Sequence, residues 1–184
     1  VFQASLSGSF YRTPDNYNIK DISDGDNHYT ATSRESGNNS SPVADLYFFR
    51  QLTPRQSITA NAVGTYTSTK SSNYYDEGTP YLYDVNGKSA SILSEIIYEN
   101  RLKPFTLSTG LNYRFKHIKN DYTGDAAALT EINNSTTYAF GEIKGMIRAW
   151  QYSFGAGASY IHYRQDTHSY NYWTFRPKVN LAYD

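Results

Sequence analysis

Alternation sustained over runs of ten or more residues is the feature that most constrains this chain. In PFTLSTGLNYRFK, residues 104–116, the side chains of Phe105, Leu107, Thr109, Leu111, Tyr113 and Phe115 fall on one face of an extended strand. Thr106, Ser108, Gly110, Asn112, Arg114 and Lys116 fall on the other. The same rhythm carries Phe2, Ala4, Leu6, Gly8 and Phe10, and returns through residues 42–52, 57–69, 89–102, 135–149, 152–165 and 170–183. No apolar stripe of helical period exceeds two turns. The spacing predicts about eight strands, most of about 11–15 residues, where strands of soluble domains run about 5–6. Composition agrees: 19 tyrosines and 9 phenylalanines among 184 residues suit a pleated surface rather than a helix. The expected fold class is all-β, an antiparallel up-and-down meander forming a transmembrane β-barrel or a fragment of one.

The remaining composition narrows partners. Lys plus Arg and Asp plus Glu are both 17, so no basic stripe advertises a nucleic-acid partner. Cysteine is absent, which excludes disulfides and thiolate metal sites. No run approaches the 18 or so apolar residues of a membrane helix. Residues 1–12, VFQASLSGSFYR, lack the basic start and apolar stretch of a signal peptide, so the sequence reads as a mature or excised segment.

Connection lengths form a second pattern. Residues 53–56, 103–104 and 150–151 read as short turns, whereas 13–41, 70–88 and 118–134 read as long polar loops. Short and long alternate, so short turns gather at one end and long loops at the other, as in outer-membrane barrels. Three hairpin registers follow. Leu52 is expected opposite Ile58, placing Phe48 against Ala62 and Leu46 against Gly64. Leu102 is expected opposite Phe105, placing Ile96 against Leu111 and Ile92 against Phe115. Ala149 is expected opposite Tyr152, placing Ile147 against Phe154 and Gly141 against Tyr160. Each matches apolar face to apolar face.

Mean hydropathy is only -0.66, so something must explain where the apolar face goes. Phe105, Leu107, Leu111, Phe115, Ile147 and Phe154 are assigned to lipid. Glu95, Glu99, Arg101, Arg114, Lys116, Glu142, Lys144, Arg148, Arg176 and Lys178 alternate away from them and are assigned to a wet lumen. Tyr66, Tyr98, Tyr113, Tyr138, Tyr152, Tyr160, Tyr172, Tyr183, Trp150 and Trp173 lie near strand ends, where half-wet, half-dry rings form interfacial girdles. Arg50 sits on the apolar face near a turn, where it can snorkel. The competing reading makes the charged face the solvent side of a soluble sandwich. Strand length and sorted loops favour the membrane.

The stretch SPVADLYFFRQLTPRQSITANAVGTYTST, residues 41–69, resembles the β-barrel region of TonB-dependent receptor-like outer-membrane proteins of Bacteroidetes-type bacteria. The matching positions are Ser41, Pro42, Asp45, Leu46, Tyr47 and Phe48, then Gln56, Asn61, Gly64, Thr65 and Tyr66. The likeness is looser over 89–184 and weak before residue 40. It implies a barrel of about 22 strands with a plug and an energy-coupling box. No plug is visible, and the sequence stops at Asp184, just beyond Tyr183, instead of closing on the aromatic residue such barrels usually carry, so the expectation is one domain over 1–184 that is a segment of a larger barrel, without the plug and the last strands. Closure of about eight strands into a small barrel is the alternative, although charged inner residues crowd such an interior. The resemblance implies uptake of a bulky nutrient in the bacterial outer membrane, with the lipid bilayer, a TonB-type coupling protein and a nutrient ligand as partners. Anchor or adhesin, and soluble carbohydrate-binding sandwich, are the other classes.

No enzymatic constellation emerges, and no cofactor is expected. His28, His117, His162 and His168 form no paired-ligand motif; His162, Asp166 and His168 gather near one hairpin end and read as surface polar residues rather than a metal site. DISDGDN at 21–27 has acidic spacing faintly like a calcium loop but lacks its final Glu. Glu95 and Glu99 would stand about 13 Å apart on one strand, too far for glycosidase chemistry. A ladder with Arg101, Arg114 or Lys144 suits them better. Tyr47 and Phe49 point inward and are expected to fill space. The Asn-x-Ser/Thr matches at Asn38, Asn39, Asn133 and Asn134 carry no meaning in a bacterial outer membrane.

Overall fold

The computed structural model describes residues 1–25 and 27–183. Eight strands follow one another: β1 (Phe2–Asp24), β2 (Asn27–Thr53), β3 (Gln56–Asp76), β4 (Pro80–Arg101), β5 (Phe105–Gly124), β6 (Ala128–Ile147), β7 (Trp150–Gln165) and β8 (His168–Tyr183). Each pairs antiparallel with the next in a single meander sheet. Among the described residues β1 and β8 do not touch, so the sheet is an open arc rather than a small closed barrel.

The expected long loops are strand. Residues read as loops over 13–41, 70–88 and 118–134 continue the ladders almost to their tips, leaving tight reversals at Gly25, Gly78 and Gly124 with φ of 62°, 97° and 90°. Thr and Tyr favour strands, and the backbone ladder carries the intervening Ser and Asn along with them. Largely exposed on both faces, they need no apolar alternation, so the pattern that marks a strand vanishes while the strand persists. The tips are tied side-on: Asp125 N–H donates to the Leu82 carbonyl and Asp125 Oδ2 accepts from Leu82 N–H, both at 2.8 Å.

The β4–β5 register is the expected one, with Ile96 opposite Leu111 and Ile92 opposite Phe115. The other two are shifted. In β2–β3, Phe48 meets Ala60 and Leu46 meets Ala62, two residues from expectation, with an irregularity between Gln51 and Thr53. In β6–β7, Ile147 meets Trp150, Ile143 meets Phe154 and Thr137 meets Tyr160, a shift of four. The turn there is Arg148–Ala149, with Arg148 at φ 55°, rather than Trp150–Gln151. Both shifts are even. A pattern of period two fixes which face a residue occupies and leaves even slips undetermined.

Ala31 is the one buried hydrophobic residue among those described. Accessible surface totals 12936 Å², whereas a globular monomer of this mass exposes about 9,000 Å². A soluble sandwich needs two sheets enclosing apolar side chains; the described residues form one sheet with no such core.

Candidate functional site: a two-faced wall

The pairings carry one apolar face unbroken across all eight strands. A representative row runs Leu6, Ala44, Gly64, Ile92 and Phe115, and another joins Leu107, Ile143, Phe154 and Val179. Phe105, Leu107, Leu111, Phe115, Ile147 and Phe154 all lie on it. Its large side chains stand out: Leu6 is 82% exposed and Phe175 71%. On the opposite face Ser57, Ser108 and Ser159 are buried. The polar face is therefore the more enclosed one, the reverse of a water-soluble sheet.

Two aromatic pairs bracket this apolar band. Trp150 and Tyr183 have ring centroids 5.1 Å apart at the turn end, and Tyr160 and Trp173 have theirs 5.0 Å apart towards the hairpin tips. Ten residues separate the pairs along each strand. At about 3.4 Å per residue and a tilt of about 40°, that is a height of about 25 Å, the apolar band of an outer-membrane barrel. Tyr66, Tyr98, Tyr113 and Tyr152 share this face. Tyr138 and Tyr172 do not: their registers put them on the polar face, correcting the girdle reading for both.

Glu95, Glu99, Arg101, Arg114, Lys116, Glu142, Lys144, Arg176 and Lys178 occupy the polar face, together with Tyr47 and Phe49. Arg148 departs from expectation, because it forms the β6–β7 turn instead of standing on the wall. The charges are joined laterally. Glu99 accepts from Ser108 and from Lys144 Nζ, each at 3.3 Å, and Asn112 donates to Glu95 at 3.3 Å. Lys178 Nζ donates to both oxygens of Glu142 at 3.0 and 3.2 Å, and Ser153 donates to the same carboxylate. The expected ladder thus forms through Lys144, while Arg101 and Arg114 make no ion pair among the described residues.

Glycines make these reaches possible. Lys178 on β8 crosses Gly155 of β7 to find Glu142 on β6; a Cβ on Gly155 would come within 3.3 Å of the Glu142 Cβ. Tyr138 lies over Gly157, and the Arg176 guanidinium caps that ring at 5.4 Å. Phe140 covers Gly110 in the same way. Sequence reasoning missed this trough, although Gly155 and Gly157 at i, i+2 on one strand face were its signal.

Beyond the band, the outward face of the hairpins is mostly polar, interrupted by exposed Ile19, Leu82 and Leu129, and holds a cleft of about 1010 Å³. Arg12, Arg34, Lys70, Tyr74, Asp84 and Asp121 help to line it. Arg34 Nε donates to Asp15 Oδ1 at 2.9 Å and its Nη2 donates to Oδ2. These hydrogen bonds hold the Asp15 carboxyl below its usual range and raise the Arg34 guanidinium. On the inward side, Tyr75, Tyr81 and Tyr122 surround Tyr83 with centroids 5.6–6.5 Å away, and burial pushes the Tyr83 phenol up. These residues were read as loop, so their convergence was invisible.

The metal readings gain nothing. Asp166 Oδ1 accepts from Glu131 N–H at 2.9 Å, and His162 Nδ1 lies 2.5 Å from Asn171 Oδ1. Among the described residues no three metal-ligating side chains converge. The calcium-loop reading of 21–27 includes residues outside the described ones.

No protein-family model matches the sequence, and no curated protein matches it. Among solved structures, the chain is similar to the crystal structure of the ferric citrate transporter FecA in its unliganded form, at 15% identity with a TM-score of 0.55. The match covers 98% of this chain and 34% of that one, so the chain spans about a third of its neighbour's length. At that identity the likeness is one of fold: an all-β, antiparallel meander with the architecture of a barrel wall.

Proposed function

We propose that the chain is a sector of the wall of a larger outer-membrane transport barrel, dry outside and wet inside. The observation that carries this reading is the outward apolar band, about 25 Å high between two aromatic pairs, backed by an enclosed charged face. In a bilayer core, unpaired strand edges are not tolerated. The edges of β1 and β8 therefore pair with further strands, and a barrel of more than eight strands leaves a lumen too wide for side chains to fill. Ion pairs and amides on the inner face suit such a water-lined or plugged lumen. The likeness to part of a transporter and the resemblance at residues 41–69 support uptake of a bulky nutrient, with a TonB-type coupling protein as the energy source. Ligand capture falls to the inward side of the long hairpins.

The test is folding in detergent against plain buffer, followed by far-UV circular dichroism and gel migration with and without boiling. Strand signal and heat-modifiable migration only in detergent or lipid support the wall. A monodisperse, strand-rich protein in buffer alone would remove the membrane and the transport reading together.

A further inference from the structure

The charges of this chain are sorted by end. Hairpin reversals follow β1, β3, β5 and β7, and short turns follow β2, β4 and β6. Taking each reversal with four residues on either side, the hairpin end holds nine acidic residues and one cation, Arg164. The short-turn end holds six cations and one acid, Glu99. Lys plus Arg equals Asp plus Glu over the whole sequence, so the segregation is axial and owes nothing to an overall excess. Glu99 is taken by Lys144 at 3.3 Å, and Asp184 follows β8 in the sequence, outside the described residues. Arg50, Arg55, Arg101, Lys103 and Arg148 are exposed and make no ion pair among the described residues.

Their positions form a rim. Arg55, Lys103 and Arg148 sit in the three reversals themselves, at the end marked by the Trp150–Tyr183 pair. Arg101 stands on the inward face opposite Thr106, and its N–H donates to the Arg55 carbonyl at 2.8 Å. Of the five, Arg50 alone is on the outward, apolar face. Strands about 4.8 Å apart and tilted by about 40° put successive turns about 12–13 Å apart along the rim. An extended polypeptide presents every second residue on one face, so every fourth residue recurs there at about 13 Å.

We propose that this rim docks an acidic, extended segment of a partner protein on the short-turn side of the membrane, its carboxylates meeting Arg55, Lys103 and Arg148 in turn, with Arg101 and Arg50 beside them. This inference rests on the membrane reading above, which places the rim in water. Charge complementarity selects an acidic partner and steers it to this end, because the acidic hairpin tips repel it at the other. Placement and spacing select a polypeptide over lipid: headgroup phosphates gather on the outward face, where one of the five cations stands.

The probe is a fluorescein-labelled peptide of alternating Glu and Ser, titrated onto the full chain in phosphatidylcholine nanodiscs and read by fluorescence anisotropy. Saturable binding is expected in about 20 mM salt and its loss in about 300 mM, where screening acts within about 6 Å. Arg55→Gln/Lys103→Gln/Arg148→Gln should weaken binding about 10- to 30-fold, the loss of three exposed ion pairs. Arg55→Lys/Arg148→Lys should retain it. Lys20→Gln/Lys88→Gln/Lys119→Gln removes equal charge from the hairpin half and should leave it unchanged. Glycerol phosphate should displace the peptide no better than chloride at the same ionic strength. Equal binding in the first variant overturns the proposal, as does an equal loss in the hairpin-half control, which would reduce the effect to net charge. Displacement by glycerol phosphate beyond that of chloride would give the rim to lipid phosphates and overturns it too. A chain that enters nanodiscs yet binds no peptide refutes this inference alone. A chain that enters none refutes the membrane reading beneath it.

Discussion

The lower and upper halves of the same strands obey different rules. In β5, Phe105 to Phe115 alternates apolar and polar with Thr109 the one polar residue on the apolar face, while Lys116 to Gly124 continues the ladder with β4 using His, Lys, Asn, Asp and Tyr on either face. Backbone pairing is identical in the two halves. The outward side chains differ: mostly apolar below, mostly polar above, as the proposed change from hydrocarbon to water would require. Strand formation here is a property of backbone pairing, and side-chain pattern records what each face touches.

The comparison breaks most sharply under a charge placed in the band. Leu111→Arg should destabilise the lipid-inserted chain by about 2–4 kcal/mol, measured by urea unfolding in vesicles. Thr123→Arg, on the same face of the same strand but among the hairpins, should stay within about 0.5 kcal/mol. Equal costs would mean that lipid does not cover the band.

Gly157→Val tests the inward face at band level. Its added side chain meets the Tyr138 ring, and the expected loss is about 1–3 kcal/mol, with Arg176 freed from its aromatic cap. A smaller effect belongs to Glu142→Gln. It weakens the link to Lys178, which is mostly exposed, by no more than about 1 kcal/mol in the same unfolding assay.

The least effect is expected in the upper half, from pH. Asp15 has its pKa lowered by Arg34, so the pair's contribution is present above the ordinary carboxylate pKa of about 3.9 and is lost as pH falls through the lower folded value. Amide exchange at Tyr17 and Arg34 should accelerate at the acid end of a titration, and Asp15→Asn should abolish that dependence.

Much of the wall was legible in the sequence for the reason this contrast gives. Phe105, Leu107, Leu111 and Phe115 declare their common face because they recur at every second or fourth position of one strand. The hairpins beyond Lys70, Lys88 and Lys119 were unreadable as strands because two wet faces impose no alternation. Register was legible only to within an even slip, which is why Phe48 meets Ala60 rather than Ala62. Tyr138 was misassigned because an aromatic near a strand end looks alike whether it covers a glycine in the lumen or sits in a membrane girdle.

The irregularity in β1 between Thr13 and Asn16 has a consequence for how such a wall can change length. Before it, even-numbered residues of β1 share the outward face with Leu46 and Phe48; after it, the odd-numbered Tyr17 and Ile19 pair with Arg34 and Thr32 on that face. One extra residue has inverted the strand's parity, and it lies past Phe10, where either face may be wet. Within the band the same insertion would exchange the faces of the serines and the leucines. Insertions and deletions in strands of this kind should therefore come in twos below the aromatic rim and in any number above it.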